Sequence, residues 1–202
     1  MRLFVALIPP PEVVADLDDF LASRRAAGPD LRWTDPEQMH VTLAFLPQVS
    51  EPKLESLLDA LSVRCARIGP HGIRLGAGGA LPSPYAARVL VLGADPQPWL
   101  GATAKAVRSA AAHAGSAVDG GRFIPHATVA RMRRPIEATR WVRILDGYES
   151  PGWVAAGATL VRSHLGQGRE RRPRYESLAE FAFGTGDGPA PASPIRQNRA
   201  HA

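Results

Sequence analysis

The sequence predicts an α+β fold of two pseudo-symmetric lobes. Each lobe is expected to be an antiparallel sheet with helices on its outer face, with an active-site cleft between the two. Three observations lead there. Helical periods alternate with short β-like runs along the chain. One motif occurs twice, as HVTLAFL at residues 40–46 and as HATVARM at 126–132. Each copy also follows a helix stop at a similar interval: His40 comes 12 residues after Gly28, and His126 comes 11 residues after Gly115. A unit repeated once over this length is too long for a solenoid, so two lobes about a pseudo-twofold axis are the better picture.

The elements can be justified in chain order. MRLFVALIPPP opens the chain, and Leu3–Ile8 reads as a buried strand within 2–8. That run is too short for the apolar region of a signal peptide, and no small-residue cleavage site follows. Val13, Val14, Leu17, Phe20 and Leu21 recur at helical spacing after Pro10–Pro11, giving a first helix over 12–27. A strand follows over 39–46. Leu54, Leu57, Leu58 and Leu61 predict a second helix over 51–67, with Ser50 as its N-cap. Strands are expected at 72–77 and 87–92, then an Ala-rich third helix over 98–114 that ends at Gly115. A strand at 123–131 precedes a fourth helix over 136–146, marked by Ile136, Trp141 and Leu145. Strands at 153–164 and 175–183 close a single bilobal domain over 1–183. Residues 184–202, GTGDGPAPASPIRQNRAHA, lack any apolar period and predict a disordered tail in which His201 is inert.

Composition narrows the chemistry. At 202 residues and 45% apolar content the chain can bury a substantial core. A formal charge of +5 favours anionic partners such as phosphates, nucleotides or RNA, although the 24 Lys and Arg are scattered. Cys65 is the one cysteine, so no internal disulfide can form, and it reads as a small buried hydrophobe. No run approaches the ~20 apolar residues of a membrane span. A soluble, cytoplasmic monomer is expected.

On a strand, residues i and i+2 share a face. His40 and Thr42 therefore point together, with Val41, Leu43 and Phe45 expected on the opposite, helix-covered side. His126 and Thr128 pair in the same way, opposite Ala127 and Val129. If the two faces oppose each other, two imidazoles and two hydroxyls converge. Near neutral pH one histidine can take a proton while the other gives one. The hydroxyls can donate to non-bridging phosphate oxygens. Phosphodiester cleavage needs these parts and neither metal nor cofactor. A buried structural His–Thr pair is the plain alternative, and it is costly to build twice. No Cys or acidic residue stands at metal-ligand spacing from the motif. His71, His113 and His164 lack the motif and are expected to be ordinary surface or core residues.

The flanking residues add a resemblance. RLFVALIPP, RWTDPEQMHVTLAFL, RFIPHATVAR and SHLGQGRERRPRYESLAEF together resemble the two-histidine (2H) phosphoesterases over residues 1 to 183. The match is best to their RNA 2′,3′-cyclic phosphodiesterases, also described as 2′-5′ RNA ligase-like. The resemblance implies a two-lobed fold that opens 2′,3′-cyclic phosphate ends of RNA, or cyclic nucleotides, to 2′-phosphates. It implies His40 as proton donor and His126 as proton acceptor. It also implies that Arg131 lies near the nucleotide, although strict alternation would point that side chain away. Phe45 and Tyr175 are candidates to stack on a base, and Ser163 is a candidate cleft donor. Two departures stand out. Pro47 follows Phe45-Leu46 where the family commonly has Gly, and the segment Arg169–Arg174 is unusually basic. The alternatives are the reverse reaction, 2′-5′ RNA ligation, and a non-catalytic RNA- or nucleotide-binding module of the same fold.

Overall fold

A computed structural model describes residues 1–28, 30–168 and 172–184. Thirteen strands and α-helices follow in order: β1 (Leu3–Leu7), α1 (Pro11–Ala27), β2 (Arg32–Trp33), β3 (Val41–Leu46), α2 (Leu54–Cys65), β4 (His71–Leu81), β5 (Ala87–Asp95), α3 (Gln97–His113), β6 (His126–Ile136), α4 (Thr139–Asp146), β7 (Trp153–Ala155), β8 (Gly157–His164) and β9 (Arg174–Ala182). The expected tail beyond residue 184 lies outside the described residues, as do Arg169, Glu170 and Arg171 of the basic segment.

The strands form one curled antiparallel sheet in the order β7-β4-β5-β6-β3-β1-β8-β9, with β2 added against β6. Its two halves, β7-β4-β5-β6 and β3-β1-β8-β9, are joined by a single partner pair, Val41 with Ala127. The duplication is visible in the pairing. In one half β1 lies between β3 and β8, and in the other β5 lies between β6 and β4. The unit β1-α1-β3-α2-β4 is thus repeated as β5-α3-β6-α4-β8, and the last strand of each unit crosses to the other half.

The helices exchange as well. α2 packs on α3, and α3 on β3. α1 packs beside α4: the Tyr148 hydroxyl just past α4 donates to Asp16 at 2.7 Å, and Phe20 meets the Tyr148 ring at 4.6 Å. Each half is therefore covered by one helix from each repeat. A close approach is built in where α4 crosses β4. A Cβ at Gly78 would sit 2.5 Å from the Val142 carbonyl oxygen and 2.6 Å from the Asp146 nitrogen.

Two apolar clusters result. The large one fills the space between sheet and helices and includes Leu3, Val5 and Leu7 of β1, Leu17 and Leu21 of α1, and Leu57 and Leu61 of α2. Cys65 is fully buried in it, and burial pushes its thiol up to about 11. The small cluster lies on the inner face of the sheet: Phe4, Ala6 and Val161, with Phe45 and Tyr175 packed against them. β1 is buried on both faces for this reason, and it reads as a continuous apolar run rather than an alternation.

Several boundaries differ from the sequence expectation. The second helix has no Ser50 side-chain cap: residues 51–53 form a 3-10 turn and α2 begins at Leu54. β6 runs on to Ile136, paired with Ala87, so α4 starts at Thr139. The run expected at 153–164 is two strands that break at Ala156, since β7 pairs with β4 while β8 pairs with β1. β2, only two residues long, has no counterpart in the sequence reading.

Candidate active site

Val41 and Ala127 face each other across the junction of the two halves. One residue to either side, the antiparallel register sets His40 against Thr128 and Thr42 against His126. Two cavities flank this junction accordingly. One holds His40 and Thr128, the other Thr42 and His126. All four side chains are half-buried. The His–Thr faces thus meet across the sheet's inner side, as expected from alternation.

The rings are anchored alike. His40 Nδ1 donates to the Gln38 carbonyl oxygen at 2.6 Å, and His126 Nδ1 donates to the Ile124 carbonyl oxygen at 2.7 Å. A carbonyl can only accept, so each ring keeps its hydrogen on Nδ1 and leaves Nε2 as the atom free to exchange a proton. Burial lowers the pKa of His40 below its usual value, the Gln38 bond opposes this, and the charges of Arg131 and His126 lower it further. Burial likewise lowers His126, against the Ile124 bond and with Arg131. His40 also stacks on Phe4 at 4.8 Å and meets the edge of Tyr175 at 5.6 Å. No aromatic contact of this kind holds His126 among the described residues.

Phe45 and Arg131 correct the alternation argument. Expected on the helix side, Phe45 instead joins the inner-face cluster, with the Arg2 guanidinium 4.5 Å over its ring. Arg131 lines the His40 cavity. The cause is the same in both repeats. Val5 pairs with Ala44 and Ala6 with Thr42, which leaves Leu43 as a bulge. Leu90 pairs with Ala130 and Val91 with Thr128, which leaves Val129 as a bulge. Each bulge lies three residues after the histidine and turns the side chain at His+5 onto the cleft face.

Tyr175 lines the His40 cavity, packed on Phe4 at 5.0 Å. Burial raises its hydroxyl pKa. Ser163 is the cross-strand partner of Tyr175 but lines neither cavity. The remaining described histidines are engaged elsewhere: His71 stacks on Trp99 at 5.1 Å, His113 Nδ1 donates to the Ser109 carbonyl oxygen at 2.7 Å, and His164 pairs with Glu176 at 2.6 Å.

The sequence reading did not single out several cleft residues. Phe4 holds His40 from β1. Gln38 anchors His40 through its carbonyl, while its side-chain amide donates to the Pro173 carbonyl oxygen at 2.8 Å. Arg172 donates to the Trp33 carbonyl oxygen and to Asp35, at 2.8 and 2.9 Å. These two bonds tie the start of β9 to the segment before β3 across the cavity. Arg32 lines the same cavity. The quoted RWTDPEQMH contains Arg32 and Gln38, but a two-residue strand has no period to detect.

Among the described residues no three His, Cys, Asp or Glu side chains come together as a metal site, and no helix is long and apolar enough to cross a membrane. The site is therefore a basic cleft with two anchored imidazoles and two hydroxyls. Such a set can hold a phosphate and pass protons on either side of it.

Comparison with known proteins agrees with this geometry. The family described as LigT like Phosphoesterase matches residues 8–91. An RNA 2′,3′-cyclic phosphodiesterase of Thermus thermophilus is 32% identical over 192 residues, covering 91% of this chain and 90% of that protein. Another, of Geobacillus stearothermophilus, is 26% identical over 92% of this chain, which spans only 58% of that protein's length. Among solved structures, a protein of Thermus thermophilus superposes with a TM-score of 0.76 at 27% identity, over 93% of this chain and 100% of that one. E. coli LigT complexed with 3′-AMP gives 0.69 at 26% identity, over 90% and 97%. With its two motifs facing each other across the junction of a curled sheet, the chain belongs to the LigT-like family of 2H phosphoesterases.

Proposed function

We propose that this protein hydrolyses 2′,3′-cyclic phosphate ends of RNA to 2′-phosphates, with two histidines and no metal. The observation that carries the reading is the square of His40 opposite Thr128 and Thr42 opposite His126, with both Nδ1 atoms anchored to carbonyls. Relatives named RNA 2′,3′-cyclic phosphodiesterase, and crystal structures of LigT with 3′-AMP and with ATP, support a nucleotide substrate.

In this mechanism His126 Nε2 takes a proton from water as its oxygen attacks phosphorus. His40, protonated on Nε2, gives its proton to O3′ as the P–O3′ bond breaks. The phosphate stays on O2′. Thr42 and Thr128 donate to the non-bridging oxygens, whose charge grows in the transition state. Arg131 adds a fixed positive charge beside the nucleotide. An arriving anion also raises the pKa of both imidazoles, which offsets their burial and lets one of them hold the proton that the acid role requires.

The deciding experiment is incubation with 2′,3′-cyclic AMP and identification of the product. The expected product is 2′-AMP, with activity retained after exhaustive chelation. Formation of 3′-AMP would reverse the substrate's orientation. Absence of turnover would remove the catalytic reading and leave a nucleotide-binding module. The same acid and base serve the reverse direction, joining RNA ends by a 2′,5′ bond.

A further inference from the structure

Both imidazoles are anchored through Nδ1, but the carbonyls that anchor them are held differently. Ile124, which takes the His126 hydrogen, is 44% exposed and has no polar side chain of its own. The loop before it is tied down upstream, at Asp119 and Gly121, whose carbonyls accept from Arg108.

The turn that anchors His40 is tied at its last residue. Gln38 ends a 3-10 turn over Pro36–Gln38. Its carbonyl accepts from His40 Nδ1, and its side-chain amide donates to the Pro173 carbonyl oxygen at 2.8 Å. That oxygen can only accept, so the amide nitrogen faces it. Arg172, the neighbour of Pro173, reaches the same segment through the Trp33 carbonyl oxygen and Asp35. From the other side, the Thr34 N–H donates to the Val129 carbonyl oxygen of β6 at 2.9 Å. Residues 33–38 are therefore slung between β6 and the start of β9. The last tie falls on the one residue whose carbonyl holds His40.

We propose that Gln38 and Arg172 are positioning residues for His40: they fasten the Pro36–Gln38 turn to the start of β9 and so fix the carbonyl that keeps the His40 hydrogen on Nδ1. The inference rests on the proposed function, in which His40 gives up the proton on Nε2. A ring that has just done so must keep its other hydrogen on Nδ1. It must also aim Nε2 at the departing oxygen within a narrow angle. A carbonyl free to swing lets the ring turn or change tautomer, and the wrong tautomer is costly to an acid–base site. His126, whose anchoring residue has no such side chain, serves as the internal control.

The test uses Gln38→Met, which keeps the side chain's length and the backbone carbonyl but removes the donor, with circular dichroism to check the fold. The readout is the imidazole nitrogen NMR spectrum of His40 and His126. In the parent, both neutral rings should carry their hydrogen on Nδ1. In Gln38→Met the His40 ring should show both tautomers and titrate at lower pH, because the Gln38 carbonyl bond raises its pKa against burial. The His126 ring should stay as it was. On 2′,3′-cyclic AMP kcat should fall about three- to tenfold, the scale of one neutral hydrogen bond, with KM little changed. Arg172 also lines the His40 cavity, so its charge is kept in the second variant. Arg172→Lys, which retains charge without the planar fork, should move the same His40 signals in the same direction. An unchanged His40 ring in Gln38→Met, or equal changes in both histidines, overturns the positioning role and leaves the two-histidine reading standing. If the parent does not turn over the cyclic nucleotide, the proposed function fails, and the ring spectra alone decide the fastening.

Discussion

In the proposed mechanism His40 and His126 act through one nitrogen each, because the other is committed to a backbone carbonyl. Replacing either with Ala should cut kcat on 2′,3′-cyclic AMP by about 10²–10⁴-fold, with the circular dichroism spectrum unchanged. Thr42→Ala and Thr128→Ala remove one hydrogen bond to a charged oxygen each and should cost about 1.5–3 kcal/mol in kcat/KM. Both imidazoles titrate below their usual value through burial and the nearby Arg131 charge. The free-enzyme profile of kcat/KM should therefore be bell-shaped with its maximum on the acid side of about 6.5. A maximum well above that value would contradict the assigned environment. Stability follows the same shift. The unfolded chain takes up protons on these rings before the folded one does. Their contribution is thus fully present above about pH 6.5 and is lost as pH falls. Urea midpoints at pH 7 and pH 5 should differ less in a His40→Asn, His126→Asn variant than in the parent.

Much of the site was legible at the scale of single elements, for a simple reason. A motif of His and Thr two residues apart needs only the strand period to place both groups on one face. The position of residue His+5 could not be read in this way. A bulge depends on the partner strand as well as its own, and the partners β1 and β5 lie far off in sequence. Phe45 and Arg131 consequently face the cleft against the alternation. β2 escaped notice because two residues display no period, and the Ser50 cap failed because a 3-10 turn intervenes before α2. Where α4 crosses β4 the packing leaves no room for a methyl group. Gly78→Ala should destabilise by about 1–3 kcal/mol through overpacking, read as a lower urea midpoint, since the atoms in the way are the Val142 and Asp146 backbone. An unchanged midpoint would mean that α4 shifts freely over the sheet.

The exchange of helices and end strands between halves predicts that the molecule folds as one unit, although its sequence looks like two. The helix and strand periods of each repeat are readable along the chain, but where an element packs after a duplication is not, because both halves offer similar surfaces. A fragment of residues 1–95 contains β1 and β3 without β8, β9 or α3, and β4 and β5 without β6, β7 or α4. It should remain unfolded by circular dichroism and amide exchange, while the full chain unfolds in one transition seen equally by helix signal and tryptophan fluorescence. A folded fragment would show that the halves are separable. The single rung between Val41 and Ala127 has another consequence. A twofold site is blind to direction: turned end for end, a phosphate meets the same imidazoles and hydroxyls with donor and acceptor interchanged. The polarity of an RNA end must then be read entirely by what the duplication failed to keep alike, namely Phe4 and Tyr175 around one ring, and arginine against phenylalanine at the two bulged strands. Altering those unlike residues, with the four shared ones intact, is the route by which such a cleft would come to cut the other bond.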